Sequence, residues 1–399
     1  MWFDRDLARQ LGRPSLPVRV LVGPRQCGKS TLIAHLKPDA AWLSLDDIQV
    51  RLRAQDDPAL LLETSGASGR RPIVLDEAAY APNLFSEVKR RVDLARRRGD
   101  PEPEFWITGS NRLLLDREVR ESLAGRASYF FLHTLGVSEL GQAASLADWL
   151  FRGGFPELYV RRELDVARYF EDYVRTFVEK DIAATAGVEK LHEFHRTLGL
   201  LAARTGAILD AAEIGRLAGV KGQTVSGWLD LLEQNALAFR LEPYHANLSK
   251  RVVRRPKIYF LDAGFAAHLQ GWRSAEPLLV SPQAGLLFET LVLGELVRLQ
   301  DHRGMPLKLS FWRTKEGEEM DFLVELTARG QSRWLGIEAK LAIQQVQPAP
   351  IPNSLTRELP ELRHVWILTP GGSESQLSKS CWQMPITQLT RRLEEWAGS

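Results

Sequence analysis

The sequence predicts an α/β fold class: an αβα sandwich with a helical lid, a helix-turn-helix segment with a wing, and a second α/β domain towards the C-terminus. Three observations predict it. A glycine-rich loop joins a β-branched strand to an apolar helix near the start of the chain, and a strand ending in two acids follows it. Far downstream, a hairpin-like pair of strands carries acids and a lysine in register.

The loop comes first. Gly23, Pro24, Arg25, Gln26, Cys27, Gly28, Lys29, Ser30 and Thr31 fit the phosphate-binding pattern G-x-x-x-x-G-K-[ST] at every fixed position. Residues 18–22 before it read as a buried strand, and residues 31–36 after it carry apolar side chains at helical spacing. Glycines let backbone N–H groups curl around a phosphate with no Cβ in the way. Lys29 is placed to reach the β- and γ-phosphates of ATP, Ser30 to ligate Mg²⁺, and the helix N-terminus adds partial positive charge. The sandwich is therefore expected to be that of a P-loop NTPase.

A second strand is expected over residues 41–45. Residues 71–75 then run into Asp76 and Glu77, the Walker B pattern. Asp76 would hold the Mg²⁺ water shell, and Glu77 would orient and deprotonate the attacking water. A third strand over 104–108 leads to Ser110 and Asn111, candidates for a polar sensor touching the γ-phosphate or the lytic water. After a helix over 115–123, Arg126 is a candidate arginine finger for a neighbouring subunit's nucleotide. The basic run 89–98 has the spacing of a solvated helix face.

Composition narrows the classes. The 399 residues suffice for several domains with real cores, and 52 Lys+Arg against 50 Asp+Glu leave no global charge to attract nucleic acid. Any nucleic-acid surface must be a local patch. With only Cys27 and Cys381, neither a disulfide scaffold nor a cysteine zinc site is expected, and a reducing, cytoplasmic setting is the default. No run approaches the about 18 apolar residues that span a bilayer.

These motifs, with Leu45-Asp46-Asp47, Thr108-Gly109-Ser110 and Glu121-Ser-Leu-Ala-Gly-Arg126, resemble the AAA+ ATPases of the bacterial and archaeal AAA_14 group that carry a DUF4143 region. That group usually reads Asp-Glu-Ile-Gln after the Walker B strand. Here Ala78 and Ala79 stand at the Ile and Gln positions, so any role of that Gln is absent, while both acids are intact.

The resemblance continues at 153–157, Gly-Gly-Phe-Pro-Glu, a breaker-rich junction before a helical lid. Residues 210–233 have helix-turn-helix spacing, with Lys221 and Thr224 at the start of the second helix. Strands over 238–244 and 257–262 complete a winged helix. Lys250, Arg251, Arg254, Arg255 and Lys257 make a basic wing suited to DNA phosphates. Winged helices also serve as protein–protein modules. In the last domain, Glu289 on a helix, Asp321 on a strand, and Glu338 and Lys340 two apart on the next strand form the PD-(D/E)XK nuclease constellation. The carboxylates would hold Mg²⁺ and the lysine would position water. A nuclease-like fold kept as a docking module is the competing reading.

The expected domains are 1–145 for the ATPase core, 146–195 for the lid, 196–272 for the winged helix and 273–399 for the nuclease-like domain. The expected function is Mg²⁺-dependent ATP hydrolysis coupled to binding or remodelling of branched DNA in a homo-oligomeric ring, a hexamer among its sizes. No membrane partner is expected. The alternative is an ATP-dependent regulatory switch with a protein partner.

Overall fold

The computed structural model describes residues 1–67, 71–109, 115, 119, 121–183, 189–244, 255–328, 331–341 and 347–398. Two compact units divide the chain. The first is Trp2–Thr134 with Asp301–Arg303, and the second is Leu135–Gln300 and Gly304–Ser399 with Met1.

The first unit is built on five parallel strands: β1 (Val18–Val22), β2 (Ala41–Ser44), β3 (Ile73–Asp76), β4 (Phe105–Thr108) and β5 (Ala127–Phe131), in the order β2-β3-β4-β1-β5. Parallel strands covered on both faces read as near-continuous apolar runs, as β3 and β4 do up to their last residue and β1 does except at Arg19. On one face Val18, Val20, Ile73, Leu75, Phe105 and Ile107 pack against Leu84, Phe85, Val88 and Val92 of the helix Asn83–Arg98. On the other, Leu21, Val74 and Trp106 pack against Leu32 and Ile33 of the helix Lys29–Leu36. The αβα sandwich follows from this alternation. Edge strand β5 was not expected, although its Tyr129, Phe130 and Phe131 are strand-favouring residues. Of the helix expected over 115–123, residues 116–118 and 120 lie outside the described residues.

The second unit holds two sheets. A helix (Leu191–Ala202), β6 (Ala207–Ile208), two helices (Ala211–Ala218 and Gly222–Gln234), β7 (Ala238–Leu241) and β8 (Lys257–Phe260) follow in order. β6, β8 and β7 form an antiparallel three-stranded sheet. The second helix pair begins and ends as its sequence dictates: Asp210 caps one helix through the Glu213 N–H, and Gly219 closes it at φ +82°.

The long helix Gln283–Arg303 then leads into β9 (Leu307–Arg313), β10 (Glu319–Ala328), β11 (Gln331–Ala339), β12 (Val365–Thr369), β13 (Ser375–Ser378) and β14 (Cys381–Pro385). They make a mixed six-stranded sheet in the order β13-β14-β12-β11-β10-β9. β9, β10 and β11 are antiparallel neighbours, whereas β11, β12 and β14 run parallel. Pro348, Pro350 and Pro352 delay the crossover helix until Asn353. The β13–β14 hairpin escaped the sequence reading because β13 is polar and largely exposed.

The Gly-Gly-Phe-Pro-Glu junction has a packing cause. A Cβ on Gly153 (φ +69°) would stand 2.1 Å from Asp262 Oδ1, and one on Gly154 would stand 2.2 Å from the Leu135 carbonyl. Buried Asp262 accepts from Gly154 N at 2.9 Å and caps the helix Ala263–Leu269 through Phe265 N at 3.0 Å. Asp262→Ala is expected to lower unfolding free energy by about 2–4 kcal/mol, the combined cost of a lost cap and an orphaned buried N–H. Urea titration with a probe in the second unit checks this; an unchanged midpoint would assign the junction's rigidity to the glycines alone.

Candidate nucleotide site and a second acidic cluster

Parallel strands bring the C-terminal ends of β1, β3 and β4 to one edge of the sheet, and the phosphate-loop motif emerges there. Gly23 adopts φ +151° and Gly28 φ +95°, and a Cβ on Gly23 would sit 2.0 Å from the Leu132 carbonyl. Those positions require glycine. Gln26 also takes the left-handed region, at φ +62°. Lys29 is buried, and its ammonium donates to the Gly23 and Pro24 carbonyls at 2.9 Å each, folded against the loop it serves.

Ser30 Oγ donates to Asp76 Oδ1 at 2.9 Å, so the phosphate-loop hydroxyl and the Walker B carboxylate meet although 46 residues separate them. Thr108 Oγ1, at the end of the intervening strand β4, donates to the same Asp76 oxygen and accepts the Glu77 N–H at 3.2 Å. Glu77 itself sits at φ +55°. A non-glycine residue in that region costs about 1–3 kcal/mol and persists where its surroundings over-determine it. A hydroxyl and a carboxylate side by side are hard oxygen donors of the kind Mg²⁺ prefers, so this pair fits that ion.

The sequence reading missed two residues of this site. Thr108 is the polar strand-end residue that touches Asp76, and its place as the last residue of β4 was the available signal. The expected sensors, Ser110 and Asn111, lie outside the described residues. Arg5 is the other: buried, it donates to the Cys27 carbonyl at 2.7 Å and to the His133 carbonyl at 2.6 Å, tying the loop to the end of β5's segment. No spacing rule announces such a contact. Arg126 precedes β5 and makes a bidentate pair with Asp93, at 2.6 and 2.9 Å.

The expected basic wing is corrected in part. Lys250, Arg251 and Arg254 lie outside the described residues. Arg255 is exposed but ion-paired to Asp210. Lys257 is not a surface residue at all: its side chain is 3% exposed and its ammonium lies 3.0 Å from Glu289 Oε1 and 2.5 Å from Glu319 Oε1. All four residues of β8 are buried, and those acids pair with its ammonium. Lys221 is exposed at the N-cap of the helix Gly222–Gln234, and Thr224 is half-buried within its first turn.

The expected metal ligands Glu289, Asp321 and Glu338 each have protein partners. Among the described residues, no group of three or more His, Cys, Asp or Glu side chains is arranged to hold a metal ion. Glu289, Asp321 and Glu338 are close enough to perturb one another but face different partners. Glu289 also accepts from Tyr259 OH at 2.5 Å, Asp321 Oδ2 accepts from Ala339 N at 2.9 Å, and Glu338 Oε2 pairs with Lys340 Nζ at 2.7 Å. Burial raises the pKa of all three carboxyls, and the Asp321 charge helps push Glu338 up to about 7.

Three family models match the chain in succession. Residues 16–141 match the AAA_14 family model, an AAA domain. Residues 143–276 match the domain of unknown function DUF8612, and residues 284–389 the domain of unknown function DUF4143. An uncharacterized protein of Mycobacterium tuberculosis is 33% identical over 391 residues, covering 96% of this chain and 84% of its own. An uncharacterized protein of Haemophilus influenzae is 24% identical over 288 residues, covering 65% of this chain and 70% of its own. Among solved structures, the Walker-type ATPase PABY2304 of Pyrococcus abyssi is 15% identical, covers 66% of this chain and 93% of its own, and superposes with a TM-score of 0.43. No helix among the described residues is long and apolar enough to cross a membrane.

Proposed function

We propose that this chain, which belongs to the AAA_14/DUF4143 family of P-loop ATPases, hydrolyses ATP with Mg²⁺ and couples turnover to binding or remodelling of branched DNA as a cytoplasmic homo-oligomer. One observation carries the hydrolysis: Ser30, Asp76, Thr108 and Glu77 meet at one sheet edge beside the phosphate loop.

Each residue then has a task. The loop from Gly23 to Thr31, Pro24 excepted, offers backbone N–H groups to the triphosphate, and the Lys29 ammonium exchanges its loop carbonyls for phosphate oxygens. Ser30 and Asp76 hold the ion, which neutralises phosphate charge when bound. Thr108 fixes the Asp76 carboxylate and, through the Glu77 N–H, the backbone that aims Glu77. Glu77 takes the proton of the attacking water. Arg126 acts on a neighbouring subunit's nucleotide once its pair with Asp93 opens.

The DNA component rests on the helix-turn-helix order, a winged-helix arrangement in our reading, with exposed Lys221 at the second helix. The pairing of Arg255 with Asp210 and the burial of Lys257 favour a second reading, a switch whose C-terminal domain docks a protein partner. Steady-state turnover without DNA, with linear duplex and with a four-way junction separates the two. Stimulation by the junction, falling steeply with salt, is the expected result. Turnover indifferent to every DNA would replace the motor by the switch.

A further inference from the structure

Four carboxylates gather where the long helix meets β10 and β11: Glu289, Glu319, Asp321 and Glu338. A divalent-cation centre requires several oxygens converging on one point, at about 2.0–2.6 Å from the ion. Here the oxygens turn instead to side-chain and backbone donors. The central donor is Lys257, delivered by β8. Its ammonium bridges Glu289 and Glu319 and lies 5.5 Å from the centre of the Phe311 ring, an arrangement that favours a cation on the aromatic face. Tyr259, two residues on and therefore on the same face of β8, donates to the same Glu289 oxygen. Lys340 holds Glu338.

The residues present do not fit a resident divalent ion. Poorly solvated acids need a positive partner, and β8 supplies one covalently.

We propose that Lys257 is the resident cation of this cluster, standing in for a divalent ion, so that the cluster as folded holds no catalytic metal. The inference does not depend on ATP hydrolysis. It also explains why β8, an inner strand of the three-stranded sheet, carries a lysine at its buried start: the charge belongs to the acids of the next domain along the chain.

Counting Mn²⁺ ions bound per full-length chain by electron paramagnetic resonance, without nucleotide, tests it. Wild type and Glu338→Gln are expected to bind equal numbers, any ion at Ser30 and Asp76 being common to both. Lys257→Met is expected to gain one ion, to lose it again in the double variant with Glu338→Gln, and to melt at higher temperature with Mn²⁺ than with chelator. A wild type that loses one ion on Glu338→Gln would overturn the proposal, because the cluster would then hold metal with Lys257 in place. A folded Lys257→Met that gains none would overturn it too. Should Lys257→Met fail to fold, the wild-type and Glu338→Gln counts still decide.

Discussion

Replacing Glu77 by glutamine lowers ATP turnover by about 10²–10⁴-fold, the usual contribution of a positioned general base, and leaves nucleotide binding intact. Glutamine keeps the length and hydrogen-bonding shape of the side chain but cannot accept a proton from water. The backbone supports this assignment. Glu77 holds φ +55° immediately after β3, with its N–H on Thr108 Oγ1. That conformation is unfavourable for a side chain larger than glycine, so the fold sets the carboxylate at this spot against local preference. Steady-state turnover alongside equilibrium binding of a fluorescent ATP analogue checks the expectation. Unchanged turnover would remove Glu77 from the chemistry. Loss of binding together with turnover would make it a residue that shapes the site.

Arg126→Ala is expected to lower turnover of the assembled protein about 10³-fold, in the range of an arginine finger, again with binding retained. Asp93→Asn, which releases the same guanidinium, should leave turnover within a few-fold. The two substitutions break one ion pair, so a purely structural role for Arg126 predicts equal effects and a role in trans predicts unequal ones. The pair is partly exposed, its side chains 22% and 19% accessible, and pairs of this kind are weak enough to open when a subunit arrives. Mixing supplies a sharper readout. Arg126→Ala chains retain Glu77, and Glu77→Gln chains retain Arg126, so a mixture recovers turnover where neither alone has it. Equal losses in Arg126→Ala and Asp93→Asn, with no recovery on mixing, would confine Arg126 to its own subunit.

The nucleotide site was legible because its parts are local. A phosphate loop is a backbone shape set by glycines a few residues apart, and the strand and helix flanking it announce themselves by apolar runs. The Walker B pair lies at the end of such a run, and the Ser30–Asp76 contact followed once β1 and β3 joined one parallel sheet. The C-terminal strands were legible in part: residues 320–325 and 334–340 were read as strands, and β10 and β11 each extend three residues further at the turn between them.

What the sequence by itself determined is therefore most of the elements that carry the two sites, β5 and the β13–β14 hairpin excepted. The tertiary structure alone decided where the long side chains go. Lys257 and Glu289 are 32 residues apart, and Gly153 meets Asp262 from across the second unit's helices, so neither contact leaves a periodic trace. A lysine on a strand of mixed pattern reads as a surface charge. Whether it reaches water or a carboxylate depends on which face of the strand is covered, and by what. Glu289 and Glu319, 12% and 26% exposed, favour the inward rotamer of Lys257, because a poorly solvated carboxylate is costly without a positive partner.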